Sequence, residues 1–201
     1  MIFLRLVIFL LIAASAWAKP CIPIAIYHAK TPGSQITISD SNLAITISKS
    51  TKFLRKNFKF IDFCVISERD YWYNSSAYSN FPKNYTKGVF EYWWFAMQHY
   101  FKNYIVTAVI HPVWLEDFAA GAALLRSYLS KTYSPFLIAW CGQNTLNCQI
   151  IFTHELLHTI GAKHQPGNNI MNPYLIGKQQ LVVYSVTFSQ VRRYLKRKGI
   201  I

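Results

Sequence analysis

Acidic residues are scarce in this chain: eight Asp and Glu stand against 21 Lys and Arg, giving a formal charge of +13. The charged fraction as a whole is only 14%, whereas 52% of the residues are hydrophobic. Disordered chains have the opposite balance, so the composition excludes disorder and indicates a globular protein. Internal repeats and linker-like segments are also lacking, and a length of 201 residues suits a single domain.

Long apolar stretches are missing beyond the first eighteen residues, which argues against a later membrane span. Residues 1–18 have a basic start at Arg5, an apolar run and a small-x-small triplet ending at Ala18. This pattern predicts a cleaved signal peptide, a mature chain of residues 19–201, and a secreted or periplasmic location. An uncleaved membrane anchor is the alternative, which the shortness of the apolar run disfavours.

Cysteines are few but even in number: Cys21, Cys64, Cys141 and Cys148. In an oxidising compartment this predicts up to two disulfides. A Cys141–Cys148 bond would close the short loop CGQNTLNC, and Cys21–Cys64 then follows by elimination. Free, buried thiols are the alternative.

Positive charge is concentrated in residues 49–59 and 192–198. Such segments can attract acidic partners, for example nucleic acid, anionic lipid or acidic glycan. We favour the simpler interpretation of two solvated helix faces, so specific nucleic-acid binding is not expected.

The order of predicted elements alternates between strands and helices. Apolar, β-branched runs predict strands at 21–28, 60–66, 105–111 and 135–140. Helices are predicted within 39–60, where Asp40 or Ser41 would cap the start, and at 88–104 and 115–131. Apolar and polar residues alternate in AITI (44–47), as they do in strands, so a strand is the alternative for the first of these helices. Residues 67–87 read as a polar loop, with N-glycosylation patterns at Asn74 and Asn84. The alternation implies an α/β fold with a mostly parallel sheet.

The segment HELLHTIGAKH carries the candidate chemistry. Residues 149–160 predict a helix on which His154 and His158, four apart, lie on one face. Glu155 lies beside the first histidine and points toward the same site. Gly161 can take the left-handed conformation that ends a helix, and the reversal would deliver His164 as a third ligand.

Three histidines with one open position are the ligand set of a catalytic zinc ion. Zinc lowers the pKa of its bound water to about 7. Glu155 would take the proton of this water as it attacks a carbonyl and pass a proton to the leaving amine. The residues therefore predict zinc-dependent hydrolysis of a peptide bond in a protein or peptide substrate.

The segment HELLHTIGAKH matches the H-E-x-x-H-x-x-G-x-x-H signature of the metzincin zinc endopeptidases, and NNIMNP resembles their Met-turn. The resemblance implies a single catalytic domain over 19–201, with a twisted, mostly parallel sheet, an antiparallel edge strand, an active-site helix and a C-terminal helix. It also implies one zinc ion bound by His154, His158 and His164, Glu155 as general base, and Met171 as a hydrophobic floor beneath the metal.

The resemblance further implies where a substrate binds. In metzincins the strand before the active-site helix is the sheet edge, and extended substrate pairs with it. Here that strand comprises Phe136, Leu137, Ile138, Ala139 and Trp140. Pro173 and Tyr174, just after the Met-turn, would wall the pocket for the side chain that follows the cut bond.

Several departures leave the subfamily open between adamalysin-like and matrixin-like. Some members carry a tyrosine two residues after the methionine, but Pro173 stands there, so no tyrosine ligand is predicted. The archaemetzincin pattern places cysteines between the third histidine and the methionine, and QPGNN has none. A strand predicted to begin at residue 21 leaves no room for a propeptide in the mature chain.

Residues 187–198 predict the C-terminal helix, with Thr187 and Gln190 as a capping box and Val191, Tyr194 and Leu195 as its apolar stripe. The remaining histidines have no metal-ligand spacing and are interpreted as structural: His28, His99 and His111.

Two other functions compete with a secreted zinc endopeptidase. One is a non-catalytic basic secreted module that binds acidic glycan, lipid or nucleic acid through 49–59 and 192–198. The other is a metal-dependent hydrolase that acts on a bond other than a peptide bond.

Overall fold

The computed structural model describes residues 19–30, 38–72, 106–111, 121–124, 135–174 and 181–201. The strands are β1 (Cys21–Lys30), β2 (Asp62–Trp72), β3 (Val106–His111), β4 (Gly121–Leu124) and β5 (Phe136–Trp140). The helices are α1 (Asp40–Asn57), α2 (Thr145–Thr159) and α3 (Ser185–Arg197). The predicted signal peptide, the predicted helix at 88–104, His99 and the glycosylation patterns at Asn74 and Asn84 lie outside the described residues.

The five strands form one sheet in the order β2-β1-β3-β5-β4. Neighbouring strands are parallel except for β4, which pairs antiparallel with β5. Parallel strands need long crossover connections, and α1 lies in the connection between β1 and β2. The mixed α/β class and the antiparallel edge strand agree with the predicted fold class.

The antiparallel edge strand comes from a segment that the sequence predicted to be helical. Residues 115–131 are rich in Ala and Leu, but Gly121–Leu124 is strand β4. Pairing with β5 overrides the helical propensity of these residues. The predicted helix at 115–131 is therefore wrong over this stretch. Strand β2 also continues to Trp72, into residues predicted to be a loop.

The resemblance implied that strand β5 is the edge of the sheet, but the structure places it between β3 and β4. It pairs with β3 on one side and with β4 on the other, and its residues Phe136 to Ala139 are fully buried. Because both rows of backbone groups from Phe136 to Ala139 are already paired, a peptide cannot add to this strand over those residues. Among the described strands, β4 is the edge strand on this side of the sheet, and both β4 and β5 contact α2.

The burial of two isoleucines in α1 distinguishes a helix from the alternative of a strand. Ile47 is buried, whereas Ile45 is 48% exposed. Residues two apart share a face in a strand but lie on opposite sides of a helix, so the AITI segment is helical. The N-cap is Ser39, whose hydroxyl accepts from the N–H of Asn42 over 3.3 Å, and not the predicted Asp40 or Ser41.

Two disulfides cross-link elements of the fold. Cys21–Cys64 joins β1 to β2, and Cys141–Cys148 joins the end of β5 to the first turn of α2. The alternative of free thiols is thereby excluded. The core they enclose consists of the buried faces of the sheet and the three helices, including Phe58, Phe63 and Phe152.

The two basic segments lie on exposed helix surfaces. In the first, Arg55 pairs with Asp62 of β2, while Lys49, Lys52 and Lys56 are exposed. In the second, the exposed residues of α3 include Arg192, Arg193, Lys196 and Arg197. None of the helices in the described part of the chain is both long and apolar enough to cross a membrane.

Candidate metal centre

Helix α2 carries three of the predicted site residues through the interior of the protein. It starts earlier than the sequence predicted, at Thr145, because the side chain of Asn144 accepts from the N–H groups of Leu146 and Asn147. The helix is buried over most of its length and contacts α1, β4 and β5. Cys148 anchors its first turn to β5. The side chains of this helix are therefore held by packing on several sides.

The chain reverses at Gly161, as the sequence predicted. Gly161 has φ +95°, its N–H donates to the carbonyl of His158 (3.0 Å), and the N–H of Ala162 donates to that of Leu157 (3.0 Å). These two bonds form a Schellman motif, the usual helix end that needs a left-handed residue. The reversal carries His164 back toward the helix it has just left.

The imidazoles of His154, His158 and His164 converge on one point. The Nε2 atom of His158 lies 3.0 Å from that of His154 and 3.0 Å from that of His164. The Nε2 atoms of His154 and His164 are 3.2 Å apart. Within the described residues, this is the cluster whose ligand atoms lie close enough together to hold a metal ion.

Hydrogen bonds at the other ring nitrogen define the tautomer of two of the three histidines. The Nδ1 atom of His154 lies 2.7 Å from the carbonyl oxygen of Ile170, and that of His158 lies 2.9 Å from the carbonyl oxygen of Ala162. A carbonyl only accepts, so both Nδ1 atoms carry the proton, and in the neutral ring Nε2 presents a lone pair. Two lone pairs 3.0 Å apart repel, and a cation between them removes the repulsion.

The donor set fits zinc. Three neutral imidazole nitrogens are a common catalytic zinc set, and ring N–H groups that donate to backbone carbonyls are its usual outer support. Tetrahedral zinc with Zn–N distances of about 2.0–2.1 Å places ligand nitrogens about 3.3 Å apart. The observed 3.0–3.2 Å requires only a small outward movement of the rings.

Burial keeps these imidazoles neutral. It lowers the pKa of His154 to about 3, with the neighbouring His158 adding to the effect, and lowers the pKa of His158 to about 4. Burial also lowers the pKa of the more exposed His164. Neutral rings have a free nitrogen, so at neutral pH a metal ion does not compete with protons for these ligands.

Glu155 lies beside the cluster, on the same helix and against the edge strand. Its carboxyl is buried, and burial raises its pKa to about 8. The atoms of this side chain reach Gly121 of β4: a Cβ atom built on that glycine would be 2.8 Å from Oε1. The carboxyl is thus placed between helix α2 and strand β4.

The loop after the third histidine is organised by Asn169, which sequence reasoning missed. Its buried amide donates to the carbonyls of Gln165, Pro166 and Gly167, and its Oδ1 accepts from the N–H of Met171 over 2.8 Å. These bonds fix the loop whose Ile170 carbonyl orients His154. Met171 is completely buried in the core, while its predicted place beneath a metal stays a prediction.

Helix α3 supports the segment that carries His164. Gly161 packs so closely on Tyr194 that a Cβ atom on the glycine would lie 2.4 Å from the Cβ of the tyrosine. The side-chain oxygen of Gln190 accepts from the N–H of Lys163 over 2.9 Å. The predicted capping box is therefore wrong: α3 begins at Ser185, and Thr187 is buried within it.

The other predicted residues occupy different surroundings. Pro173 and Tyr174 are exposed, and the N–H of Tyr174 donates to the side chain of Asn172. Their role in a substrate pocket stays a prediction. His28, interpreted as structural, is buried, with Nδ1 2.9 Å from a carboxylate oxygen of Asp40 at the start of α1. The side chain of His111 lies outside the described part of the structure.

Glu155 marks a change in the distribution of charged residues along the chain. It is the last acidic residue of the sequence, because residues 156–201 contain neither Asp nor Glu. The same segment holds the exposed basic residues of α3 and the exposed Lys163 beside His164. The segment 156–201, which carries two of the three clustered histidines, is therefore cationic.

No protein-family model and no curated protein matches the sequence. Solved structures do match the fold. Archaemetzincin from Methanopyrus kandleri has a TM-score of 0.56 and 12% identity, over 89% of this chain and 97% of that one. Metalloproteinase-II from Bacteroides fragilis has a TM-score of 0.54 and 11% identity, over 88% of this chain. This chain spans 53% of the length of the Bacteroides protein. The chain therefore shares the fold of these two proteins, and it carries a three-histidine cluster on and after its helix α2.

Proposed function

We propose that this protein is a zinc-dependent endopeptidase whose metal ligands are His154, His158 and His164. The observation that carries the proposal is the convergence of the three Nε2 atoms within 3.0–3.2 Å of one another. Two of the rings are held by carbonyl acceptors in the tautomer that leaves a lone pair facing inward. A cluster built in this way is suited to holding a cation.

Zinc bound there supplies a Lewis acid that polarises a carbonyl and lowers the pKa of a bound water to about 7. The remaining proton transfers belong to Glu155. Burial alone raises the pKa of this carboxyl to about 8, and a zinc ion bound beside it would lower that pKa and favour the carboxylate. The carboxylate would accept the proton of the attacking water and then pass a proton to the nitrogen of the leaving amine. Because the carboxyl is buried, water other than the reacting molecule is largely excluded from it.

A peptide substrate would lie along β4 and not along β5. Strand β4 ends the sheet, and its first residue, Gly121, touches the carboxyl of Glu155. Extended peptides bind exposed sheet edges through backbone hydrogen bonds. Pairing with this strand would bring the scissile bond beside the carboxyl that moves the proton. Pro173 and Tyr174 would then contact the side chain that follows this bond.

Export from the cytoplasm is part of the proposal. The two disulfides support it, because such bonds persist in oxidising compartments and are rare in the cytosol. The predicted signal peptide at residues 1–18 would direct the export. Sequencing the N-terminus of the protein purified from culture medium or periplasm tests this: it should read from Lys19, and retention of Met1 would contradict it.

The peptidase proposal is tested with a peptide library and the purified mature protein. We expect cleavage that a zinc chelator abolishes and added zinc restores. Glu155→Gln keeps the size of the side chain but cannot accept the proton, so cleavage should fall by about three orders of magnitude or more while the bound zinc is retained. Lys196→Gln on the exposed face of α3 is the matched control and should cleave normally. Cleavage that survives both the chelator and Glu155→Gln would refute the proposal.

A non-catalytic binding module is a second candidate, favoured by the exposed basic residues of α1 and α3. Changing Arg192, Arg193 and Lys196 together to Gln removes charge without touching the histidine cluster. If binding is the function, this variant loses its retention on an anionic polymer column and its biological effect, whereas Glu155→Gln keeps both. The opposite pattern favours the peptidase. A library without any cleaved peptide, combined with bound zinc, would favour hydrolysis of another bond.

A further inference from the structure

Edge strand β4 meets the carboxyl of Glu155 at a glycine. A Cβ atom on Gly121 would lie 2.7 Å from Cγ and 2.8 Å from Oε1 of Glu155, and 2.8 Å from the carbonyl oxygen of Ile138. Unbonded carbon atoms have their optimal separation at about 3.5–4.0 Å, so such a contact is strongly repulsive. The strand and the carboxyl keep their observed positions only because residue 121 has no side chain.

Backbone conformation does not explain this glycine. Among the described residues, the glycines with positive φ are Gly161, Gly167 and Gly199, and Gly121 is not one of them. It lies in a paired strand, where a glycine weakens the strand and often marks a close approach by another group. The approaching group here is the side chain of Glu155.

Two neighbours limit how a side chain at position 121 could be accommodated. Gly121 pairs with Ala139 of β5, whose residues Phe136 to Ala139 are buried and paired on their other side with β3. Glu155 lies on α2 directly after His154, whose ring is fixed by the Ile170 carbonyl. Rotation of the Glu155 side chain relieves the contacts with Cγ and Oε1 and displaces its carboxyl, whereas the contact with the Ile138 carbonyl oxygen requires a shift of the backbone.

We propose that Gly121 is a positioning residue for Glu155: its bare backbone sets where the carboxyl lies between α2 and the edge strand. A Cβ atom at position 121 pushes the carboxyl away from the strand along which the substrate would bind. The kinetic effect expected below presupposes the proposed peptidase function; the steric contact does not.

The steric contact is tested by a double-mutant cycle on thermal stability, measured on the zinc-loaded protein. Gly121→Ala should lower Tm by roughly 5 °C in the wild-type background. In the Glu155→Ala background, Cγ and Oε1 of Glu155 are absent, so the same substitution should lower Tm by less than about half as much. Equal or larger losses in the Glu155→Ala background would overturn the proposal, because the contact with Ile138 would then dominate.

Failure to fold is also informative in this cycle. If Gly121→Ala unfolds the wild-type protein but is tolerated together with Glu155→Ala, the proposal stands. If neither protein folds, the Ile138 contact is the cause, and the proposal is wrong. Gly142→Ala is the matched control, because its Cβ would lie 2.8 Å from Cζ2 of Trp140. It should lower Tm equally in both backgrounds.

Steady-state kinetics distinguish a misplaced Glu155 carboxyl from a general loss of folded protein. Gly121→Ala should lower kcat by about 10–100-fold, since a misplacement of about 1 Å costs up to this factor. KM should change by less than about threefold, and zinc content should stay equal to wild type. Unchanged kcat in folded Gly121→Ala would overturn the proposal. If the wild-type protein cleaves no peptide, the peptidase function fails, while the thermal cycle still decides the role of Gly121.

Discussion

The backbone N–H of Lys163 donates a 2.9 Å hydrogen bond to the side-chain oxygen of Gln190, across 27 residues of sequence. Lys163 directly precedes His164, the most exposed of the three clustered histidines. No hydrogen bond at Nδ1 of His164 is seen within the described ranges, in contrast to His154 and His158. Helix α3 therefore supports the third histidine through the backbone next to it.

Gln190→Leu should weaken zinc binding. The N–H of Lys163 loses its acceptor, the backbone before His164 gains freedom, and the outer support of a ligand is typically worth 10–100-fold in metal affinity, so we expect a loss of about that size. Competition titration with a chromogenic chelator measures it. Gln190→Glu retains an acceptor and should bind zinc at least as tightly as wild type. Equal weakening by both substitutions would show that the hydrogen bond has no part in the effect.

Gly161→Ala should destabilise the protein far more than Gly199→Ala. Both glycines have positive φ, +95° and +67°, so both substitutions incur the left-handed strain of about 1 kcal/mol. At Gly161 the new Cβ also meets Tyr194 at 2.4 Å, whereas at Gly199 it meets nothing within 4 Å. Overpacking adds about 1–3 kcal/mol at the first position. Urea denaturation measures the difference, and equal losses at the two positions would contradict the observed packing.

The metal-free protein should be most stable near pH 6.5. The folded-state pKa values of His154 and His158, about 3 and about 4, lie below the ordinary 6.5, so the stability they contribute is present above pH 6.5 and lost as pH falls through these values. The pKa of Glu155, about 8, lies above its ordinary 4.5, so its contribution is present below pH 4.5 and lost as pH rises through 8.

The loss of stability at acid pH and the loss at alkaline pH can be separated by substitution. In the presence of a chelator, denaturation between pH 5 and 9 should show a fall in stability on both sides of the maximum. Glu155→Gln removes the titrating carboxyl and should abolish the alkaline fall while leaving the acid fall intact. An alkaline fall that persists in Glu155→Gln would assign it to another group.

The two disulfides should differ in their contribution to stability. Cys21–Cys64 spans 43 residues and Cys141–Cys148 spans seven. The loop-entropy relation gives about 4 kcal/mol for the longer loop and about 2 kcal/mol for the shorter one. Alanine at both cysteines of each pair, followed by denaturant unfolding, measures these values. A larger loss for the Cys141–Cys148 pair would mean that its anchoring of α2 outweighs the entropy of the unfolded chain.

The histidine cluster was predictable because its determinants are local. A spacing of four residues, close to one helical turn of 3.6, places His154 and His158 on one face, and a glycine three residues later ends the helix in a known way. The buried strands β1, β3 and β5 were likewise visible as apolar, β-branched runs. In each case the sequence within about fifteen residues decides the structure.

The residues that the sequence did not reveal depend on distant contacts. Gln190 and Gly121 matter because of their neighbours across the fold, Lys163 and Glu155. Strand β4 was predicted to be a helix because its Ala and Leu residues suit one, and only pairing with β5 makes it a strand. Gly121 itself was the available signal, since an isolated glycine weakens a helical interpretation.

The net positive charge of the chain bears on how a divalent cation arrives. With a formal charge of +13 and no acidic residue after Glu155, the protein repels an approaching Zn²⁺ at long range. Salt screens this repulsion over a Debye length of about 10 Å at 0.1 M. Loading of the apoprotein should thus accelerate as ionic strength rises, the reverse of the usual behaviour of metal sites lined by carboxylates. Once an ion is bound, its retention depends on the three ligand nitrogens and on the loop and helix that hold them.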